Sequence, residues 1–410
     1  MGKRAYLLKL LQDVRASYWF LPTVLVFVGL ALAIVMGWID RDPSRLPWQL
    51  RETWIDTQAD GARSTLAVIA QSIIGVTGVM FSMTLVAVSF ASGNFGPRLI
   101  GNFMRDRGNQ WSLGILISTF VYALVVLRTV QDSIDGGVAE YVPQYSLIVA
   151  LLLSLLCVFT LIYFIHHVPE TINVSRISAN IGASLEAQLR TLIDERSGSD
   201  DDNDDVEKPP RRAADVVIQS ESAGYIQTVN FSQLSDLAKE HDGFIKVDAS
   251  IGTFLTTETP VIRVWTKDEL SEEDVEALKG CFAVGISRTE NQNPTFLAEQ
   301  LVEMVARALS PGVNDPYTAM DCLNRMAAAL IVASRYKDGL QPPSLPRITF
   351  KHLTFERLFS ATFPLCRQYI QPDALVLAHA KERLTELLET VKPEDQTCIK
   401  EELSRLDAES

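Results

Sequence analysis

Adjacent histidines at the end of a long apolar run are the first residues of this chain whose types suggest chemistry. The stretch FIHHVPE brings His166, His167 and Glu170 together. Neighbouring residues on a helix point about 100° apart, so the two imidazoles do not readily chelate one metal. His166 and Glu170, four apart, share a face and can pair. The set reads as interfacial polar residues that respond to pH. His241, His352 and His379 are dispersed, and no nucleophile–base pair stands out. Cys157, Cys281, Cys322, Cys366 and Cys398 have neither CxxC nor zinc spacing and read as reduced thiols. In the acidic run, Asp200, Asp202 and Asp204 alternate as calcium ligands would. Asp205 stands where an EF-hand loop needs glycine, and Arg211 where it needs glutamate. The soluble part has no Gly-rich phosphate loop, GxSxG or HExxH. The expectation is a protein that is not an enzyme, with no cofactor and no metal.

A second set lies between Ser64 and Pro97, a stretch without a charged residue. At about 100° per residue, Ser64, Gln71, Gly75, Gly78, Ser82 and Ser89 fall within an arc of about 60°. Gly93 and Gly96 extend the stripe if the helix continues. Small and polar residues on a membrane helix have two readings. One is tight packing against a neighbouring helix, with Gly78 and Ser82 as the close pair. The other is the lining of a watery path or binding cleft. The stripe alone does not choose between them.

The elements that must carry these residues follow from hydropathy and charge. Four uncharged or nearly uncharged runs, at about 17–38, 64–91, 111–130 and 143–166, are each long enough to cross a bilayer. Tyr18, Trp19 and Trp38 border the first, as interfacial aromatics do. Its length, and the lack of a small-residue cleavage site, make it a retained span rather than a signal peptide. Lys3, Arg4, Lys9 and Arg15 precede it, and Arg98, Arg105 and Arg107 follow the second span. Asp132, Asp135 and Glu140 occupy the next loop without a basic residue. The positive-inside rule then places both termini in the cytoplasm of a cell (inner) membrane. Arg128 can share a helical face with Asp132 and Asp135, either as an interfacial ion pair or as charge at a pore mouth.

The rest reads as a helical extension at 171–194, an acidic disordered linker at 195–212 and a small α/β module at 213–290. A helical hairpin at 291–335 and a mostly helical region at 336–410 follow, the latter with a β segment around Ile348 ahead of its helices. VVIQS, GYIQTV, GFIKVDA, TFLTTETPVIRVW and FAVGIS read as strands. Ile177, Ile181, Leu185, Leu189 and Leu192 form an apolar stripe suited to the cytosolic domain or to a second copy. The hairpin is broken at SPGVNDP. Pro311 and Gly312 stop one helix, Asp315 caps the next, and Pro316 fits its first turn. Arg307, Ser310, Asn314 and Asp315 are more polar groups than a break requires, and suit a ligand, an ion or a neighbouring subunit. The fold class is an α-helical membrane domain of four spans plus a cytosolic mixed α/β domain ending in a helical region. The net charge of -13 excludes nucleic acid as a natural partner.

The run RALSPGVNDPYTAMDCL (Arg307–Leu323) is similar to the signature of a bacterial family of predicted membrane proteins, domain of unknown function 2254. GVTGVMFSMTLVAVSFASGNFGPRLI (Gly75–Ile100), FIHH and the pair Arg288–Thr289 also resemble that family. The resemblance covers nearly the whole chain and implies architecture and location, but no activity. Two functions remain open. One is a homo-oligomeric ion or small-solute channel lined by the second span and gated by the cytosolic domain. The other is a non-transporting sensor or scaffold in the lipid bilayer whose cytosolic domain binds a small ligand or a protein partner.

Overall fold

A computed structural model describes residues 17–42, 57–96, 106–131, 141–197, 209–267, 269–334, 340 and 347–408. Asp132, Asp135, Arg98, Arg105 and the acidic run at 200–205 lie outside the described residues. The chain divides into two compact units, one of residues 9–93 and 97–173, the other chiefly of residues 174–410.

The first unit holds four helices: α1 (Phe20–Arg41), α2 (Ala59–Phe95), α3 (Arg107–Thr129) and α4 (Gln144–Thr171). Each is long and apolar enough to cross a membrane. With 37 residues, α2 is about 55 Å long, well beyond a hydrocarbon core of about 30 Å. It ends where Gly96 adopts φ +115°, a backbone conformation that glycine takes without steric cost.

Helices α1 and α3 approach each other closely, and two glycines make it possible. A Cβ on Gly29 would lie 2.3 Å from Ser118 Oγ and 2.7 Å from the Ser118 carbonyl oxygen. A Cβ on Gly114 would lie 2.4 Å from Leu25 Cδ1 and 3.1 Å from Pro22 Cα. Small residues let membrane helices approach this closely. From α2, Leu66, Ile69, Ile73 and Met80 join Leu116, Tyr122, Val126, Leu147 and Phe164 in one apolar core.

Polar bonds tie one end of the bundle. The Asp40 carboxylate accepts from the Tyr145 amide at 2.8 Å, the Ser146 amide at 3.0 Å and the Ser146 hydroxyl. It thereby satisfies amide donors that the first turn of α4 leaves open. Tyr122 donates to the Ser146 carbonyl at 3.0 Å, and Arg63 to the Val130 carbonyl at 3.2 Å.

The second unit begins with α5 (Val174–Ser197). Its mixed layer contains β1 (Val216–Gln219), β2 (Gly224–Val229), α6 (Phe231–Glu240), β3 (Phe244–Val247), β4 (Phe254–Leu255), β5 (Pro260–Trp265), α7 (Glu272–Lys279) and β6 (Phe282–Gly285). Asn230 caps α6, and Ser271 with Asp274 forms a capping box on α7. The helices α8 (Pro294–Ala308) and α9 (Pro316–Ser334) come next, then β7 (Ile348–Phe350) and four more helices. These are α10 (Phe355–Ser360), α11 (Phe363–Ile370), α12 (Ala374–Thr390) and α13 (Gln396–Ala408).

One sheet has the order β1-β5-β3-β7 and the other β4-β2-β6. All pairs are antiparallel except β3 with β7, where Ile245 faces Ile348. The β segment that the sequence shows around Ile348 is β7, at the edge of the four-stranded sheet, where the Ile348 side chain joins the apolar core of Ile245, Val247, Ile262 and Val264. The apolar stripe on α5 packs within its own chain. Ile177, Ile181, Leu185 and Leu189 are buried and Leu192 is half-buried, and α5 lies against α8 and α9. Ser178 donates to Asp321, and Gly182 admits the stem of Arg325.

Candidate functional site

The small and polar stripe of α2 does not meet the other helices of its unit. Ser64, Gln71, Gly75, Gly78, Ser82 and Ser89 are all exposed. A Cβ added to Gly75, Gly78 or Gly93 would find nothing within 4 Å. The packed residues Leu66, Ile69, Ile73, Thr77, Met80 and Thr84 are buried, and they lie about 180° around the helix from the stripe. Thr77 and Thr84 return their hydroxyl protons to the carbonyls of Ile73 and Met80, at 2.7 and 3.0 Å. Ser82 does the same to Gly78 at 2.9 Å. That backbone bond lets a hydroxyl sit on a membrane helix without another partner. The Gln71 amide makes no hydrogen bond among the described residues. Among the described residues the stripe is therefore neither a packing seam nor an enclosed cleft.

Arg128 is exposed near the end of α3, and the two aspartates expected beside it lie outside the described residues. At the end of α4 the histidines separate. His166 pairs with Glu170 at 3.3 Å on the helix surface. His167 turns inward, its Nε2 2.8 Å from Asp106 Oδ2. Asp106 is also the cap of α3, accepting from the Asn109 amide at 2.9 Å. Tyr163 stacks on the His167 ring with centroids 5.0 Å apart. The His167–Asp106 pair was invisible in the sequence, since its members are 61 residues apart. Only the cap preference of an aspartate before a helix hinted at Asp106.

The SPGVNDP turn satisfies itself locally. The amides of Val313 and Asn314 both donate to the Ser310 carbonyl at 3.0 Å, and the Ser310 hydroxyl donates to the Arg307 carbonyl at 2.6 Å. The Asp315 carboxylate accepts from the Thr318 amide at 3.1 Å and from its hydroxyl at 2.6 Å, which caps α9. The helix α8 ends at Ala308, ahead of Pro311 and Gly312. Asn314, and not Gly312, takes the left-handed conformation, with φ 49°, a region asparagine tolerates. Pro316 opens α9. Pro311, Gly312, Val313, Asn314 and Tyr317 face solvent.

Upstream, Arg288 makes a two-point pair with Glu299 of α8, Nη2 lying 3.1 Å from Oε1, and its guanidinium sits 5.2 Å over the Phe296 ring. Thr289 donates to the Gln227 carbonyl at 3.4 Å. This pair of residues thus joins the three-stranded sheet to α8. Another buried ion pair, which sequence reading missed, is Arg367 of α11 with Glu402 of α13, Nε to Oε1 at 2.8 Å. Glu402 is only 2% exposed.

The thiols of the second unit are not poised for chemistry. Burial pushes Cys281 up to about 12 and Cys398 up to about 11, and Cys322 and Cys366 also move up for the same reason. A thiol so raised has almost no reactive thiolate at neutral pH. Among the described residues no group of three or more His, Cys, Asp or Glu side chains is arranged to hold a metal ion.

Comparison with known proteins gives kinship without an activity. The uncharacterized protein Rv1290c of Mycobacterium tuberculosis is 28% identical over 404 residues, covering 95% of this chain and 74% of the relative. The uncharacterized protein Mb1321c of Mycobacterium bovis matches to the same extent. No solved structure matches the chain. The model of the predicted membrane protein family DUF2254 matches residues 15–386. With four apolar spanning helices and that match over most of its length, the chain belongs to the DUF2254 family of predicted membrane proteins.

Proposed function

We propose that the chain assembles with copies of itself around α2 into a path for an ion or small solute, gated by the C-terminal unit. The observation that carries this reading is the exposure of the whole stripe from Ser64 to Ser89 on the side of α2 opposite its packed face. A Gln71 amide without a partner is costly against lipid, since hydrocarbon offers it no hydrogen bond. Either a neighbouring copy or a column of water relieves that cost. Hydroxyls, an amide and backbone at glycine are sufficient to line a hydrated path. The charge distribution of the loops supports both termini lying in the cytoplasm of a cell (inner) membrane. The reading assigns no catalytic step.

The test is ion flux through purified protein in liposomes, under several salts and pH values, with the Gly78→Leu/Ser82→Leu protein beside the wild type. Flux that disappears in an intact mutant oligomer supports the path. Unchanged flux in an assembled mutant makes the stripe a packing surface only.

A second reading is a membrane sensor or scaffold without transport. It is favoured by the exposure of Pro311, Gly312, Val313, Asn314 and Tyr317 on one turn of the C-terminal unit. It predicts that small anions or metabolites raise the melting temperature of the wild type and not of Tyr317→Ala. An equal rise in both proteins would remove this turn as the binding place.

A further inference from the structure

The second histidine of the FIHH run is built into the bundle in a way that the first is not. His166 is 80% exposed, and its Glu170 partner lies on the same helix. An exposed pair of this kind contributes little. His167 is 15% exposed and Asp106 23%, and the pair joins two helices. The packing around it is specific. A Cβ on Gly108 would lie 2.4 Å from His167 Nε2 and 2.7 Å from the Tyr163 hydroxyl, so a larger residue at this place would displace those side chains. Tyr163 holds the ring from the other side at an interplanar angle of 17°. Asp106 is fixed in turn, because the oxygen that meets His167 also caps the Asn109 amide.

The position of the pair gives it leverage. His167 stands in the last turn of α4, next to Pro169 in the same helix. A proline removes a backbone donor from the ladder and weakens a helix locally. The chain leaves the four-helix unit just beyond, between Asn173 and Val174. The end of α4 is therefore held by this side-chain clasp as well as by its own backbone bonds.

We propose that His167 and Asp106 form a proton-operated latch that fixes the last turn of α4 to the first turn of α3. With a proton on the imidazole the contact is a charge-assisted bond between two opposite charges, imidazolium and carboxylate. Loss of that proton leaves a neutral imidazole on the carboxylate and removes the attraction between opposite charges. The attraction is thus present at low pH and weakens as pH rises. The charged and titratable groups around it, among the described residues, are few. Arg107 follows Asp106 on α3, His166, Glu170 and Tyr163 share α4 with His167, and Tyr18, ahead of α1, feels the Asp106 carboxylate. The latch makes the firmness of the α4 end depend on proton activity at that face of the membrane. It goes beyond the α2 path and stands or falls separately.

The experiment is hydrogen exchange of the full-length protein in lipid nanodiscs, corrected for the intrinsic chemical rate. It compares about pH 5.5 with about pH 8, either side of the ordinary imidazole range. The expected result is several-fold greater protection of residues 164–171 at the lower pH, in the wild type and equally in His166→Gln. His167→Gln keeps a neutral donor and removes the titration, so its protection is expected to be the same at both pH values. Should that variant fail to assemble, Asp106→Asn serves instead, since asparagine still caps α3. Protection that does not change with pH in the wild type overturns the latch. So does a pH dependence that survives in His167→Gln or Asp106→Asn.

Discussion

Two sets of glycines in the same four-helix unit do opposite things. Gly29 and Gly114 lie in a seam so close that a single added carbon would strike Ser118 or Leu25. Gly75 and Gly78, on a stripe of small and polar residues, meet nothing within 4 Å. By sequence the second set looks more like a packing motif, because its glycines and serines recur on one helical face. The first set consists of isolated glycines in apolar runs. The contrast shows that a small residue marks a close helix contact only when a partner surface exists. A periodic stripe of small residues marks a special face, and leaves open what covers it.

The comparison is best broken with Gly29→Leu. The new side chain collides with the Ser118 backbone, and overpacking of this kind costs about 3 kcal/mol. It is expected to lower the detergent-unfolding midpoint of the membrane unit sharply. A wild-type midpoint would show that the α1–α3 seam is looser than described.

Asp315→Ala carries the question to the other unit. If the SPGVNDP turn is explained by its own local bonds, the cost is that of an N-cap, about 1 kcal/mol. For a unit of this size that is about 2–4 °C in melting temperature. A much larger fall would mean that Asp315 does more than cap α9.

Gly78→Leu/Ser82→Leu is expected to change single-chain stability by less than about 0.5 kcal/mol, as substitutions away from packed features do. Its effect is expected in self-association, read by crosslinking or mass photometry, and in flux. Unchanged association with strong destabilisation would reverse the comparison.

The smallest effect is a pH dependence in the mixed layer. Hydrogen bonds from the Ser271 side chain and backbone, and the neighbouring His241, hold the Asp274 carboxyl below the usual carboxylate range. A depressed carboxyl contributes stability above its unfolded value and loses it as pH falls through the folded one. The difference in melting temperature between wild type and Asp274→Asn is therefore expected to shrink below about pH 4, near the ordinary Asp value. A difference that holds constant into strong acid would refute this role.

Much of the architecture was legible because it is local. Uncharged runs long enough to span are visible in the residues themselves, as are the cap at Asn230, the box of Ser271 with Asp274 and the helix stop around Pro311. The signature turn was also readable, down to the capping role of Asp315. Within that turn the left-handed residue is Asn314, which sequence alone does not single out. Of the polar groups that seemed in excess there, the Ser310 and Asp315 side chains bond within a few residues.

What the sequence by itself determined is the set of helical faces and breaks, because these follow from a period of 3.6 residues and from the backbone limits of proline and glycine. It placed the α2 stripe on one face, the apolar residues of α5 on another, and the four spans in order. What only the tertiary structure decided is which face meets which. It put α5 on α8 and α9, paired β7 with β3 across the 100 residues from 248 to 347, and joined His167 to Asp106 and Arg367 to Glu402. It also turned the α2 stripe outward while burying the opposite face. The physical reason is the range of the forces involved. Helix and cap bonds reach only a few residues along the chain, whereas a packed contact depends on the shape and volume of surfaces that lie far apart in sequence.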